Sequence, residues 1–320
     1  MYQELNLKIQ LDNIQRVCTG QRHNAFGDAV IFQDQLFISY RSGTHHMSDD
    51  GKIIVVQCKL NGQRVSYHQL VLPGYDLRDP HFTPTQSGKL MLIAHTRSSP
   101  AHPVPETVSW FSTGNNTWSG IHFPGPRAWW LWRAKEHNGM CWGLGYLRQA
   151  NQLNLYAGQL RGQMELKREA ILSKKKHGLG YPNESDLVFT SDDRLITIVR
   201  RDADSYTAQL GISKPPYTQF KWQDLKMYIG GPAMLLLNDD SALVAGRHWD
   251  GKNLHTRLWQ LNITTAKLTT LAVLPSAGDN GYPGLAIHND RLLMTYYSSH
   301  IDNQSRMYLA TFSVDQTRDS

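Results

Sequence analysis

A motif recurs six times along this chain, at intervals of roughly 50 residues: a polar turn followed by a short apolar run that usually ends in arginine or tyrosine. The six copies are QDQLFISYR (33–41), SGKLMLIAHTR (87–97), NGMCWGLGYLR (138–148), SDDRLITIVRR (191–201), NDDSALVAGR (238–247) and NDRLLMTYY (289–297). Self-similarity with this period is typical of propeller blades, which are four-stranded sheets that bury their faces only against neighbouring blades. The repeat therefore predicts an all-β fold, a six-bladed β-propeller with four-stranded antiparallel blades.

A second apolar segment precedes each turn and is predicted to be the innermost strand of its blade. These segments are NAFGDAVIF (24–32), DPHFTPT (79–85), RAWWLWRAK (127–135), ESDLVFT (184–190), GPAMLLL (231–237) and YPGLAIH (282–288). Runs such as KIIVVQC (52–58), NLYAGQL (154–160) and TRLWQLNI (256–263) read as outer strands. The stretch GQMELKREAIL (162–172) is predicted to be a strand and turn rather than a helix. Because the repeat leaves no linker, one domain is expected over residues 1–320.

Composition and charge indicate what kind of partner the chain binds and where it is located. The net charge of +6 includes one basic run, at 174–176, which is predicted to be a solvated loop, so an anionic sugar is a better partner than nucleic acid. No run of 18 apolar residues is present, and MYQELNLKIQ lacks the order of a signal peptide. With three widely spaced cysteines, Cys18, Cys58 and Cys141, these features predict a cytoplasmic protein without membrane insertion.

The start of one strand and the end of the next lie at the same edge of an antiparallel hairpin, which in a propeller opens onto one mouth of the channel. The first-strand starts are His23 and Asn24, Asp79, Arg127, Glu184, Pro232 and Tyr282. The second-strand ends are Arg41, Arg97, Arg148, Arg200 with Arg201, Arg247, and Tyr296 with Tyr297. Glu184 and Asp79 could simply neutralise neighbouring arginines. However, the arginines outnumber the acids, which predicts an anionic ligand such as a carboxylate held by guanidinium groups.

The order Glu184, Arg200, Arg247 in AGR and Tyr282 in GDNGYPGL resembles the sialidase (neuraminidase) superfamily of six-bladed propellers. In that family an arginine triad grips the substrate carboxylate, and a tyrosine activated by a glutamate attacks the anomeric carbon. An aspartate on a loop after the first blade's second strand serves as acid/base. The resemblance implies that Tyr282 is the nucleophile, Glu184 its activating base, and Arg200 and Arg247 two members of the triad. A neutral phenol suits attack beside a carboxylate, because an anionic nucleophile would be repelled.

The first blade departs from the family pattern. Where the family usually has a Tyr-Arg-Ile-Pro type motif, this chain has RHNAF (22–26), so the third arginine is either Arg22 or Arg41. The acid/base is expected in the loop HHMSDDGK (45–52), where Asp49 or Asp50 fits the family position, although Asp50 with Gly51 also reads as an ordinary turn. The other candidate substrate-binding residues are Arg201, Asp79, His45 and His46. The Asp-box signature survives as worn copies, STGNNTW (112–118) and SKPPYTQF (213–220).

Three functions remain open. The first is a retaining exo-glycosidase for a sialic acid or a related keto-sugar acid. The second is a polysaccharide lyase or histidine-dependent glycosidase for uronate-containing glycans, motivated by His23, His45 and His46. The third is a non-catalytic glycan-binding propeller with Trp129, Trp130 and Trp132 as a stacking wall, although packing between blades explains most of these indoles. The sequence has no HExxH, Cys-x-x-Cys or EF-hand pattern, so catalysis without metal or other cofactor is expected.

Overall fold

The computed structural model describes residues 6–317, which form strands joined by turns and one four-residue helix, α1 (Lys174–His177). The strands are β1 (Asn6–Arg16), β2 (His23–Phe32), β3 (Gln35–Gly43), β4 (Lys52–Cys58), β5 (Arg64–Leu70), β6 (Leu77–Pro84), β7 (Leu90–Thr96), β8 (Thr107–Ser112), β9 (Trp130–His137), β10 (Met140–Leu147), β11 (Gln152–Gly158), β12 (Glu165–Ser173), β13 (Pro182–Phe189), β14 (Leu195–Arg201), β15 (Gln209–Ser213), β16 (Lys221–Asp224), β17 (Gly230–Asn238), β18 (Ser241–Trp249), β19 (Leu254–Asn262), β20 (Lys267–Leu274), β21 (Gly281–His288), β22 (Arg291–Ser298) and β23 (Arg306–Thr317).

Six antiparallel sheets divide these strands into blades. Blade 1 is β2–β5, blade 2 is β6–β8, blade 3 is β9–β12, blade 4 is β13–β16, blade 5 is β17–β20, and blade 6 is β21–β23 together with β1. The first strand of each blade lies at the axis, where neighbouring inner strands contact one another and β21 closes the ring against β2. The sequence prediction of an all-β six-bladed propeller is confirmed, and all six predicted inner segments form the inner strands.

Both ends of the described chain meet in blade 6. Strand β1 pairs antiparallel with β23, with Ile9 opposite Val314, and so forms the outer edge of a sheet whose other strands come from the C-terminal part. Blade 2 is the exception to the four-stranded plan, because its fourth position is marked by two isolated bridges, Ser109 to His122 and Ser112 to Trp118. The second bridge closes the worn signature STGNNTW, where the indole Nε1 of Trp118 donates to Asn116 Oδ1 at 2.9 Å.

Two local predictions need correction. The inner strand of blade 3 begins at Trp130, so Arg127 lies outside it, largely exposed and 3.6 Å from Glu106. The basic run at 174–176 is not a loop but the helix α1, because Ser173 Oγ accepts from Lys176 N at 3.1 Å and caps its start. The stretch before it forms β12, as predicted. No helix within residues 6–317 is long and apolar enough to cross a membrane. Residues 1–5, on which the signal-peptide expectation partly rests, lie outside the described part.

Every inner strand carries a bulge at the same height, where two residues oppose one residue of the next strand. The bulged pairs are Phe26-Gly27, Asp79-Pro80, Trp132-Arg133, Asn183-Glu184, Gly231-Pro232 and Tyr282-Pro283. The first residue has a positive φ in four blades, for example +49° at both Asp79 and Tyr282. A bulge re-aims a side chain out of the strand alternation. The bulged pairs therefore bring side chains from all six blades to the same level of the axis.

The axis also holds a buried group of charges that we call the axial ion cluster, formed by Asp28, Asp186 and the bulge residue Arg133. Arg133 Nη1 donates to Asp28 Oδ1 at 3.0 Å, and Arg133 Nε lies 3.6 Å from Asp186 Oδ2. The cluster also binds the backbone of the three remaining inner strands, at Phe82 N, Met234 N and Pro283 O. Three side chains thus connect all six blades.

Candidate active site

The centre of the site is a tyrosine and glutamate pair joined across blades 6 and 4. Tyr282 Oη donates to Glu184 Oε1 at 2.7 Å, and Arg200 Nη1 lies 2.6 Å from Glu184 Oε2 and 3.0 Å from Tyr282 Oη. Tyr282 is buried, and its burial together with the charge of Glu184 raises the pKa of the phenol well above its ordinary value. The phenol is therefore neutral at rest, and Glu184 is positioned to take its proton.

Backbone geometry holds this pair in place. Both residues belong to bulged pairs, and their side chains meet across blade 5, whose inner strand β17 lies between β13 and β21. Gly231 N donates to Glu184 Oε2 at 2.7 Å, and Gly231 has a φ of +56°. A Cβ at this position would lie 2.7 Å from Cγ of Tyr282, so no side chain fits there without displacing the phenol. The bulge glycine of blade 5 thus provides both a hydrogen bond and the space that the tyrosine ring needs.

Arg247 forms the second half of the site. Its Cζ lies 5.0 Å from the ring centroid of Tyr282, and its Nη2 contacts Asp279 Oδ1 at 2.5 Å and Tyr297 Oη at 2.8 Å. Nε of Arg247 donates to the carbonyl of Asn280. Among the described residues, Nη1 of Arg247 and Nη2 of Arg200 make no hydrogen bond, so each guanidinium keeps a terminal nitrogen for a ligand. Two cations with free donors at one opening favour an anion.

Asp79, in the bulged pair of blade 2, is an acid in a different environment from Glu184. Its carboxyl group is buried, and burial raises its pKa to about 8, against the attraction of Arg78 and with the repulsion of Glu184. At neutral pH the group is therefore mostly a carboxylic acid, which can donate a hydrogen bond as well as accept one. The mouth thus combines two arginines, a glutamate beside a neutral phenol, and a neutral carboxylic acid.

Comparison with known proteins shows which solved structures share this fold. No protein-family model matches the chain, and no curated protein matches it either. Among solved structures, a protein of unknown function from Dyadobacter fermentans superposes with a TM-score of 0.81 at 15% identity, covering 96% of this chain and 99% of that chain. The Hadza microbial sialidase Hz136 superposes with a TM-score of 0.63 at 10% identity, covering 92% of this chain and 66% of that one.

A third match is the parainfluenza virus 5 hemagglutinin-neuraminidase ectodomain, with a TM-score of 0.63 at 11% identity and coverage of 98% of this chain and 85% of that one. The fold is that of a distant sialidase-like propeller. At these identities the likeness is one of architecture, and the chemistry of the sialidase-like propeller has to be argued from its own residues.

The three remaining arginine candidates are engaged in contacts of their own. Arg41 is fully buried, with Nε 2.7 Å from Asp76 Oδ1 and its terminal nitrogens on the carbonyls of His45 and Ser48. Arg22 has a half-exposed side chain and pairs with Asp50 at 2.5 Å. Arg201 is fully buried against loop 202–207, where it pairs with Asp204 at 3.0 Å. Arg200 and Arg247 thus lie beside Tyr282. The other three arginines, Arg22, Arg41 and Arg201, stabilise neighbouring loops.

The loop between β3 and β4 separates its four candidates. Asp49 pairs with Arg97, and Asp50 accepts from Arg22 and from both N and Oγ1 of Thr44, at 2.9 and 2.7 Å. His45 is exposed, while His46 Nδ1 lies 2.8 Å from Asp279 Oδ2. Of the four loop residues, His46 is therefore the one joined by a hydrogen bond to the Arg247 side of the site.

Three neighbours of the site were not singled out from the sequence. Asp279 accepts from Arg247, Tyr297 and His46, and Arg78 stands with its Cζ 5.5 Å from the ring of Phe26. Phe26 takes in blade 1 the bulge position that Tyr282 takes in blade 6. A sequence signal for these positions exists, because the bulged pairs recur at nearly the repeat period and four of them end in glycine or proline.

The buried carboxyl of Asp79 predicts a pH-dependent contribution to stability. Its pKa rises from 3.8 in the unfolded chain to about 8 in the fold, so the folded state binds the proton more tightly. The contribution of this group to the free energy of unfolding is fully present below pH 4. It decreases by about 1.4 kcal/mol per pH unit as the pH rises toward 8. We expect Asp79→Asn to remove this decline, so that its free energy of unfolding exceeds that of the wild type increasingly between pH 4 and 8. Urea titrations at several pH values measure the difference.

The exposed turn residue Asp34 provides the control for this comparison. Asp34→Asn is expected to give a curve parallel to the wild type over the same pH range. Parallel curves for Asp79→Asn as well would mean that Asp79 ionises normally in the folded protein.

Proposed function

We propose that this chain is a sialidase-like exo-glycoside hydrolase that releases a terminal sialic acid or a related keto-sugar acid with retention of configuration. The observation that carries the proposal is the phenol of Tyr282, neutral, buried and 2.7 Å from the carboxylate of Glu184. A tyrosine paired with a carboxylate base is a nucleophile suited to an anomeric carbon that already bears a negative group. The fold shared with sialidases supports the same reaction class.

The chemistry assigned to the pair proceeds in two displacements. As Tyr282 Oη bonds to the anomeric carbon, its proton passes to Glu184, and the glycosidic bond breaks with its electron pair on the leaving oxygen, which takes up a proton. The positive charge of Arg200, 3.0 Å from the phenol oxygen, stabilises the developing negative charge. Water then gives up a proton as it attacks the same carbon, and Tyr282 Oη leaves, taking its proton back from Glu184. Two displacements at one carbon give net retention.

Substrate binding is assigned to the charges around this pair. The free terminal nitrogens of Arg200 and Arg247 are proposed to hold the substrate carboxylate. The neutral carboxyl of Asp79 is proposed to bind a sugar hydroxyl, because it can both donate and accept. The partner expected from this arrangement is an anionic glycan.

The direct test is a panel of 4-methylumbelliferyl glycosides. Fluorescence would be followed with the α-glycosides of N-acetylneuraminic acid, a deaminated nine-carbon keto acid and an eight-carbon keto acid, beside uncharged and β-linked controls. We expect turnover of at least one keto-acid glycoside and none of the uncharged sugars, with the α-anomer of the free sugar appearing first by NMR. A β-anomer as first product, or turnover of uncharged sugars alone, would contradict the proposal.

One observation favours a second candidate, a lyase or histidine-dependent glycosidase acting on uronate-containing glycans. The imidazoles of His23 and His46 lie 5.3 Å apart at the mouth, and His46 is joined to Asp279. A histidine held by a carboxylate can abstract a proton next to a sugar carboxylate. Oligosaccharides of glucuronate, galacturonate and alginate distinguish the two candidates, because a lyase forms an unsaturated product and a hydrolase does not.

A further inference from the structure

A histidine lies near the mouth on the other side of Phe26 from Tyr282. His46 lies in the loop between β3 and β4, and its Nδ1 is 2.8 Å from Oδ2 of Asp279 in the segment before β21. An ionised carboxylate can only accept, so Nδ1 carries the hydrogen and donates it. This leaves Nε2 of His46 for a ligand. We propose that His46 is the general acid/base of this site and that Asp279 is the residue that positions it. The inference rests on the function proposed above and names its missing proton donor.

Asp279 is fixed from several directions, as a positioning residue should be. Its Oδ1 accepts from Tyr297 Oη at 2.7 Å and from Arg247 Nη2 at 2.5 Å, which leaves Oδ2 for His46. Burial opposes ionisation, but the hydrogen bond of His46 and the charge of Arg247 lower the pKa of Asp279 to about 2. An ionised acceptor selects one tautomer of the imidazole and fixes the orientation of its ring.

The surrounding rings set the position of His46 relative to the nucleophile. His46 meets Phe26 edge to face at 5.2 Å, and Phe26 meets Tyr282 at the same distance. The side chain of His46 is 43% exposed, whereas Tyr282 is 8% exposed. The nucleophile therefore lies deep and the imidazole lies on the open side, where a departing aglycone has access to solvent. This is the arrangement required when one group attacks and the other protonates the leaving oxygen.

The two aspartates of the same loop are engaged elsewhere. Asp49 pairs with Arg97, and Asp50 with Arg22. Burial of Asp50 is slight and opposes ionisation, while hydrogen bonds from Thr44 and Arg22 lower its pKa well below the usual range. A carboxylate that holds no proton near neutral pH cannot act efficiently as a general acid.

His46 and Glu184 together account for every proton that moves in the two steps. In the first step the glycosidic bond breaks with its electron pair on the leaving oxygen, which takes the proton from Nε2 of the His46 imidazolium. At the same time Tyr282 Oη bonds to the anomeric carbon and its proton passes to Glu184. In the second step His46 Nε2 takes a proton from the attacking water, the bond from carbon to Tyr282 breaks, and Glu184 returns the proton to the phenol. Both groups end as they began.

A metal ion is the competing occupant of this position. The ligand atoms of His23, His46 and Asp279 all lie within 4.8 Å of one another. However, Asp279 already binds the cation of Arg247, and the charges of Arg41 and Arg78 act on His23, whose pKa is lowered to about 4 by burial and these neighbours. A divalent cation carries two positive charges and would therefore be repelled by this set of arginines more strongly than a single proton on His46.

The test compares two glycosides of the same keto-sugar acid, one linked to 4-methylumbelliferol and one linked to lactose. Loss of a general acid slows departure of a poor leaving group far more than that of a good one. We expect His46→Gln to lower kcat/KM by about 10²- to 10⁴-fold on the lactose-linked substrate and at most about tenfold on the aryl glycoside. Azide, which attacks without a base, should restore turnover of the aryl glycoside and yield a glycosyl azide.

Matched variants distinguish His46 from its neighbours. His68→Gln, on the outer strand β5 of the same blade, should match the wild type on both substrates. Asp279→Asn should show the same dependence on the leaving group with a smaller amplitude. Asp49→Asn and Asp50→Asn should change both substrates by a common factor. The inference is overturned if His46→Gln loses both substrates equally without azide rescue, or if Asp49→Asn or Asp50→Asn shows the leaving-group dependence instead.

Three further outcomes also decide against it. Activity that is lost in chelator and restored by zinc would assign His46 to a metal site. A wild-type chain that turns over neither glycoside overturns the proposed function, and the role of His46 with it. If the wild type turns over both glycosides and this activity requires Tyr282, but His46→Gln affects both glycosides equally, only the acid/base role is overturned.

Discussion

Tyr282→Phe is expected to lower kcat/KM toward a keto-acid glycoside by on the order of 10³-fold or more, because it removes the attacking oxygen. The substitution keeps the ring, its contact with Phe26 and its place beside Gly231, so the fold should be unchanged. Loss should appear in kcat, since the phenol oxygen forms its bond only as the reaction proceeds. Steady-state kinetics with the 4-methylumbelliferyl substrate, together with the unfolding midpoint in urea, provide the measurement.

The neighbouring Tyr296 provides a matched control. It is buried in β22, the strand that pairs with β21, and its hydroxyl donates to the carbonyl of Pro275 at 3.2 Å rather than to a group of the site. Tyr296→Phe should keep kcat/KM within a few-fold of the wild type while losing a similar hydrogen bond. Full activity of Tyr282→Phe would show that another residue attacks the substrate, or that the reaction has no covalent step.

Arg133→Met is expected to destabilise the fold by about 3–5 kcal/mol, the range found when one partner of a buried ion pair is removed. Burial opposes ionisation of Asp28, but the charge of Arg133 outweighs it and lowers the pKa of Asp28 well below its ordinary value. Without Arg133, Asp28 and Asp186 would be two uncompensated carboxyl groups at the propeller axis. The free energy of unfolding in urea, measured at neutral pH, tests the expectation.

Two comparisons make this result interpretable. Arg127→Met removes an arginine whose side chain is 74% exposed and should cost less than about 1 kcal/mol. The triple variant Asp28→Asn, Arg133→Met, Asp186→Asn removes all three charges together and should recover much of the loss. A change below about 1 kcal/mol for Arg133→Met alone would mean that the axial ion cluster is not what connects the inner strands.

The architecture was accessible from the sequence because propeller strands are set by local patterns. Each polar turn and its apolar run, such as 238–247, specify a hairpin without long-range information. The pairing of β1 with β23 could not be read in this way, because it joins residues some 300 positions apart that carry no mutual signal. The error at Arg127 arose because the segment 127–135 includes three residues of turn before the strand begins.

The candidate site was predictable in part. Glu184, Arg200, Arg247 and Tyr282 were predicted at the mouth from their places at strand ends, and the structure brings all four together. The strand-end pattern alone did not separate Arg200 from Arg201, because the two are adjacent in sequence; the resemblance to sialidases implied Arg200, which lies beside Tyr282 and Glu184, whereas Arg201 pairs with Asp204. The position of Asp279 depends on contacts with Tyr297 and His46 from distant parts of the chain, which no local pattern encodes.

The bulged pairs make the side chains at the mouth independent of the hydrogen bonds that hold each blade together. After each bulge the ladder resumes its register, so the hydrogen bonds of the sheet do not depend on which side chain the bulge presents. Phenylalanine, aspartate, tryptophan, asparagine, glycine and tyrosine occupy the first position in the six blades. The pairing of the strands therefore tolerates a change of the side chain that any single blade presents at the mouth. Specificity in such a fold would change blade by blade.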